Sequence, residues 1–121
     1  MSRIMVVDDE PQVRRMLRGR LETEGYEVDE ADDGKLALAL QRQNSADLII
    51  SDMIMPEMDG TELIIKLSRE FPDVKIIAIS GGGILDAQYH LCLAKEFGAN
   101  RIFPKPVPLQ NLVDTIEELL A

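Results

Sequence analysis

Five side chains in this sequence could act on one substrate if the fold gathers them: Asp8, Asp9, Asp52, Ser80 and Lys105. Each stands at or just past the end of a short apolar run, and strand ends are where open α/β sheets build their binding crevices. Three carboxylates within about 5 Å of one another repel by about 3 kcal/mol per pair at an effective dielectric near 20. Such a group needs positive partners. Lys105 supplies one charge, and a hard divalent cation with oxygen ligands is the natural second. Mg2+ usually takes one or two carboxylates, keeps several waters and shares the rest of its shell with a phosphate. A carboxylate can itself be the nucleophile, as in aspartyl-phosphate chemistry. Metal and lysine then neutralise charge on the transferring phosphoryl group. No histidine is placed as a base, so a phosphoryl-accepting aspartate fits these residues better than a hydrolytic carboxylate pair.

The elements that must position them alternate along the chain. Ile4-Met5-Val6-Val7 reads as a strand stopped by Asp8-Asp9-Glu10. Pro11 suits a first helical turn, Val13, Met16, Leu17 and Leu21 recur at helical spacing, and Gly25 is a C-terminal stop. Glu27 to Ala31 is a partly polar strand, expected near a sheet edge. Asp33-Gly34 opens a second helix through Leu36, Ala37 and Leu40. Leu48-Ile49-Ile50 is too short for a buried helix and suits a strand covered on both faces, with Asp52 at its carboxyl end. Asp59 as N-cap and Glu62 as its capping-box partner begin a third helix, which carries Leu63, Ile64 and Leu67. Val74 to Ile79 is a β-branched strand ending at Ser80. Gly81-Gly82-Gly83 precedes a weakly patterned helix from about Ile84 to Phe97, stopped by Gly98. Arg101-Ile102-Phe103 is a short last strand, and Leu109, Leu112, Val113, Ile116, Leu119 and Leu120 mark an amphipathic final helix. Five βα units predict a parallel sheet with helices on both faces and right-handed crossovers.

Composition bounds the function. At 121 residues the chain is read as one domain, residues 1–121. With 13 basic against 22 acidic residues the net charge is −9, which disfavours direct nucleic-acid binding and anionic membrane surfaces. No apolar run approaches the length of a membrane span, and no leader pattern precedes the first strand. Cys92 is alone, so an internal disulfide is impossible and a reducing cytoplasm is the natural setting.

Together these residues resemble the receiver domains of two-component response regulators. The resemblance covers essentially the whole chain and rests on Val7-Asp8-Asp9-Glu10-Pro11, on Asp52-Met53-Ile54-Met55-Pro56-Glu57-Met58-Asp59-Gly60, on Ser80-Gly81, on Gly98-Ala99 and on Lys105-Pro106. Each fragment alone is common; in this order and at these intervals they are specific. The resemblance implies a doubly wound, flavodoxin-like (βα)5 fold with strand order 2-1-3-4-5. It implies that Asp52 accepts a phosphoryl group from a phosphohistidine on a sensor histidine kinase or phosphotransfer protein. Asp8 or Asp9, Asp52 and the backbone carbonyl of Met53 would hold Mg2+, Asp9 being favoured as the direct ligand. Ser80 and Lys105 would contact the phosphoryl group, and the Lys105–Pro106 bond would be cis. Output would pass to a protein target through the fourth helix, fifth strand and fifth helix, from a monomer or a phosphorylation-dependent dimer.

Three features depart from the family pattern. The switch position three residues before the lysine is aliphatic, Ile102, where many receivers carry an aromatic ring; Phe103 points to the opposite face of the strand and cannot substitute. The interval from Ser80 to Lys105 is long and opens with three glycines, which predicts a mobile loop and a short, shifted or irregular fourth helix. Pro104 removes a ladder donor, which suits an edge strand. The triple glycine is no P-loop, because no Gly-Lys-Ser/Thr follows it.

Plainer readings stand beside these. Taken singly, an acid at a strand end is as readily a helix cap. His90 reads as a surface or half-buried helix residue, Cys92 as a packed small hydrophobe, and the methionines as core filler, with Met53, Met55 and Met58 near a partner surface. The alternative functions are a receiver cut from a longer regulator or hybrid kinase, and an Mg2+-dependent phosphatase of the haloacid-dehalogenase type. The second requires an acid two residues after the nucleophile, where this chain has Ile54. The chain stops just after the last helix, so a natural chain of this length would signal through protein contacts.

Overall fold

Short apolar runs rich in Ile and Val form the three interior strands, as expected where both faces are covered. The computed structural model describes residues 2–53, 60–80, 92, 96 and 98–121. Among these, β1 (Arg3–Val7), α1 (Pro11–Thr23), β2 (Glu27–Ala31), α2 (Gly34–Gln43), β3 (Leu48–Asp52), α3 (Gly60–Glu70), β4 (Lys75–Ser80), β5 (Arg101–Pro104) and α4 (Leu109–Leu120) follow in order. The strands form one parallel sheet in the order β2-β1-β3-β4-β5. Order and direction agree with the expected doubly wound fold.

Position in the sheet follows composition. β3 lies at the centre and is buried at every residue, including Ser51 and Asp52. β2 is an edge strand, and its polar residues take cationic partners: Asp29 and Glu27 bind Arg3, while Glu30 binds Arg14 and Arg18. β5 is the other edge, where Pro104 pairs in register with Ser80 and its missing N–H costs no interior ladder bond.

Alternation along the strands sorts side chains into two cores. Met5, Val7, Ile49, Ile76 and Ala78 pack with Ala37 and Leu38 of α2 and with Leu63, Ile64 and Leu67 of α3. Ile4, Val6, Ile50, Ile77 and Ile79 pack with Leu17 and Leu21 of α1 and with Leu112 and Ile116 of α4. Ile102 joins the first core and Phe103 the second, the opposite facing expected of adjacent strand residues.

Some local expectations need correction. Met16 is 45% exposed and Leu36 is 42% exposed. On α1 the inward stripe runs through Leu17 and Leu21, four residues apart, and Met16 sits about 100° off it. On α2 the stripe is Ala37, Leu38 and Gln41, which turns Leu36 outward. Met53, by contrast, is the core filler expected of the methionines, buried in the first core. Cys92 is exposed rather than packed, because one small side chain has too little apolar area to dictate burial by itself.

Two helix ends behave as composition predicts. Asp33 accepts from the Leu36 N–H at 2.8 Å, and Gly25 takes φ +97° beyond α1. Ile54, Met55, Met58, the Asp59 cap, the triple glycine, most of the expected fourth helix and His90 lie outside the described residues. No helix among the described residues is long and apolar enough to cross a membrane.

Candidate functional site

The carboxyl ends of β1, β3, β4 and β5 meet at one edge of the sheet, and parallel register decides which residues face one another there. Asp52 pairs with Ile79, so Ser80 lies one residue further along the neighbouring strand. Pro104 pairs with Ser80, so Lys105 follows directly, its N–H donating to the Ser80 carbonyl at 2.9 Å. The Met53 N–H donates to the Ile79 carbonyl at 2.9 Å, which prolongs the β3–β4 ladder just past Asp52. The Lys105–Pro106 peptide bond is cis.

Lys105 is the hub. Its ammonium lies 2.9 Å from Glu10 Oε1, 3.0 Å from Asp8 Oδ2 and 3.3 Å from Asp52 Oδ2. The Asp8 and Asp52 side chains are 2% and 4% exposed, whereas that of Glu10 is 60% exposed. Carboxylate oxygens of Asp8, Asp9, Glu10 and Asp52 all come within 4.8 Å of one another. The crowding expected of three acids is therefore met, with a fourth added.

Asp8 satisfies both readings of its position. Oδ1 accepts the Glu10 N–H at 2.9 Å, a local turn that sets the start of α1, while Oδ2 faces Lys105. The Asp8 N–H donates to the Ala31 carbonyl at 3.1 Å, and Arg14 Nη1 donates to the Asp8 carbonyl at 2.7 Å. Backbone and side chain are thus tied on four sides. Every buried side-chain polar atom among the described residues has a hydrogen-bond partner.

Protonation follows from the geometry. Burial pushes the Asp8 carboxyl above its ordinary value, more than the Glu10 N–H and Lys105 pull it down, and the neighbouring Glu10 adds to the rise. Burial would depress Lys105, but the hydrogen bonds to Glu10 and Asp8 and the charges of Asp52 and Asp8 outweigh it, so its pKa is raised. The two directions are compatible: one ammonium feels three anions, whereas each anion shares a single ammonium. Lys105 therefore stays cationic throughout the physiological range.

The structure thus brings Asp8, Asp9, Asp52 and Lys105 together. It places Ser80 fully buried at the adjacent strand end. Ile102 sits half-buried, in register with Ala78 on the α2–α3 face. The residue that sequence reasoning passed over is Glu10. A signal was available: it is the third consecutive acid after a buried strand, immediately before a helix-starting proline. The donor set of hard carboxylate oxygens suits a divalent cation of the Mg2+ kind rather than a soft or imidazole-seeking metal.

Residues 4–117 match the family described as response regulator receiver domain. The chain is 34% identical to the response regulator receiver protein CpdR of Brucella abortus, covering 99% of this chain and 98% of that protein. It is 35% identical to the sensor kinase CckA of the same organism, covering 97% of this chain but only 12% of the kinase. Among solved structures, a response regulator receiver domain protein from Clostridium thermocellum superposes with a TM-score of 0.89 at 30% identity, covering 99% of this chain and 94% of that one.

Proposed function

The chain belongs to the response regulator receiver family, and from that membership we propose that it is a phosphorylation-driven switch with Asp52 as phosphoacceptor. An Asp52 carboxylate oxygen attacks the phosphorus of a phosphohistidine. The new P–O bond forms as the P–N bond breaks, and the imidazole nitrogen keeps the electron pair. The Lys105 ammonium and the Ser80 hydroxyl donate to phosphoryl oxygens. Asp8, Asp9 and Asp52, with the Met53 carbonyl, would hold Mg2+, which when bound supplies positive charge beside the phosphoryl oxygens. The observation that carries this reading is the placing of a buried strand-end carboxylate, Asp52, 3.3 Å from a lysine held cationic by three acids.

The donor is a histidine kinase or a histidine phosphotransfer protein. Likeness both to a protein of about this length and to a segment of a sensor kinase supports either setting. On phosphorylation Ser80 is drawn toward the new oxygens, and Ile102, half-buried on the edge strand in register with Ala78, reports the change to a downstream protein target. The setting is cytoplasmic.

Treatment with acetyl phosphate and Mg2+ should add one phosphoryl mass, labile to base, that Asp52→Asn abolishes. Intact-protein mass spectrometry decides. No adduct, or one that survives the substitution, ends the phosphoacceptor reading, and sustained turnover of a phosphate ester would point to a phosphatase instead.

A further inference from the structure

We propose that Glu10 is a built-in competitor for Lys105, holding the lysine in the unphosphorylated state and giving it up to the phosphoryl group on Asp52. This rests on Asp52 being the phosphoacceptor. Glu10 is the N-cap residue of α1, a position whose side chain ordinarily accepts a helix N–H; here it makes no such bond and reaches Lys105 instead, at 2.9 Å. An ammonium has three N–H donors, and carboxylates of Glu10, Asp8 and Asp52 lie around this one within 3.3 Å. A phosphoryl oxygen can gain a Lys105 hydrogen bond only by displacing one of them.

Burial decides which one leaves. Asp8 and Asp52 are enclosed, where separating a carboxylate from the ammonium costs more than at the surface. Asp52 keeps its charge until the P–O bond forms, so during the approach of the donor Glu10 is the partner released at least cost. Glu10 is mostly exposed and rehydrates when released. The incoming group also brings close to two negative charges into a region where the Glu10 carboxylate already lies within 4.8 Å of those of Asp8, Asp9 and Asp52, so repulsion drives the same exchange. Glu10 is therefore a positioning residue acting through Lys105. Its release frees the rim of the groove lined by Val13, Met16, Lys105, Pro106, Val107 and Leu109.

The test is the initial rate of Asp52 phosphorylation by acetyl phosphate, with acetate leaving, at saturating Mg2+. Glu10→Gln should be roughly two- to five-fold faster than the unaltered chain, the range set by losing one partly exposed ion pair. Glu10→Asp, one methylene shorter but still charged, should fall between the two. The gain should vanish in a Lys105→Met background, because the competition acts through that ammonium. An unchanged or slower Glu10→Gln protein overturns the inference, as does an equal gain without Lys105, which would mark a general field effect. A Glu10 that instead served as a metal ligand would show weaker Mg2+ binding by calorimetry and no gain at saturation, which also overturns it. Failure of the unaltered chain to form an Asp52-dependent adduct is a separate outcome and removes the phosphoacceptor reading itself.

Discussion

Asp8 is the residue where structure and chemistry meet, because one carboxylate both turns the chain into α1 and faces Lys105. Its position costs stability whenever it is ionised, since burial raises its pKa above the unfolded value of 3.8. The native state then binds the proton more tightly than the unfolded chain does. Stability attributable to Asp8 is full below 3.8, falls as pH rises through the raised native value, and stays low above it. Asn at this position can still accept the Glu10 N–H through Oδ1, but carries no charge. In the presence of a chelator, Asp8→Asn should melt above the unaltered protein at pH 7, and the gap should close as pH is lowered toward 3.8. Thermal melts across that range check it. A lower melting temperature at pH 7 would mean that the Lys105 pairing outweighs the burial cost.

At the scale of elements, the approach of β5 depends on a glycine rather than on a large side chain. Gly98 has φ +132°, and a Cβ there would collide with Ser68 Oγ on α3 and lie 3.1 Å from Ser68 Cβ. Backbone and packing therefore demand the same residue. The turn leads into Ala99, which enters the α2–α3 core, and Asn100, whose Oδ1 accepts the Ile76 N–H at 2.8 Å and seats β5 beside β4. Gly98→Ala should cost about 2 kcal/mol or more in denaturant unfolding, combining strained φ with overpacking. Adding Ser68→Gly should restore the collision share but not the backbone share, so the double variant should recover only in part. Full recovery would assign the whole effect to the contact, and no loss in the single variant would show that α3 yields freely.

At the scale of the molecule, the sequence was most informative where one physical rule acted alone. Buried strands announced themselves by β-branched runs, and the polar β2 announced an edge. The convergence of Asp8, Asp9, Asp52 and Lys105 followed from strand ends in a parallel sheet. What stayed illegible depended on helix rotation and on rotamer choice: the outward turn of Met16 and Leu36, and the reach of Glu10 past its own helix to a residue 95 positions later. Sequence spacing constrains neither. The same convergence has a global consequence, because a chain of net charge −9 concentrates four of its acids at one sheet edge. A cation that binds this edge in the native state but not in the unfolded chain must stabilise the fold by mass action. At ten times its dissociation constant, Mg2+ should contribute about 1.4 kcal/mol, which for a domain of this size raises the melting temperature by several degrees. Matched ionic strength in NaCl removes the part due to screening of the net charge. Asp9 is exposed, so Asp9→Asn should leave the metal-free melting temperature nearly unchanged while abolishing most of the Mg2+ increment. Calorimetric melts of both proteins with Mg2+ and with NaCl separate the cases: an equal increment in both would place the cation elsewhere on the acidic surface, and none in either would leave Lys105 as the only cation this site requires.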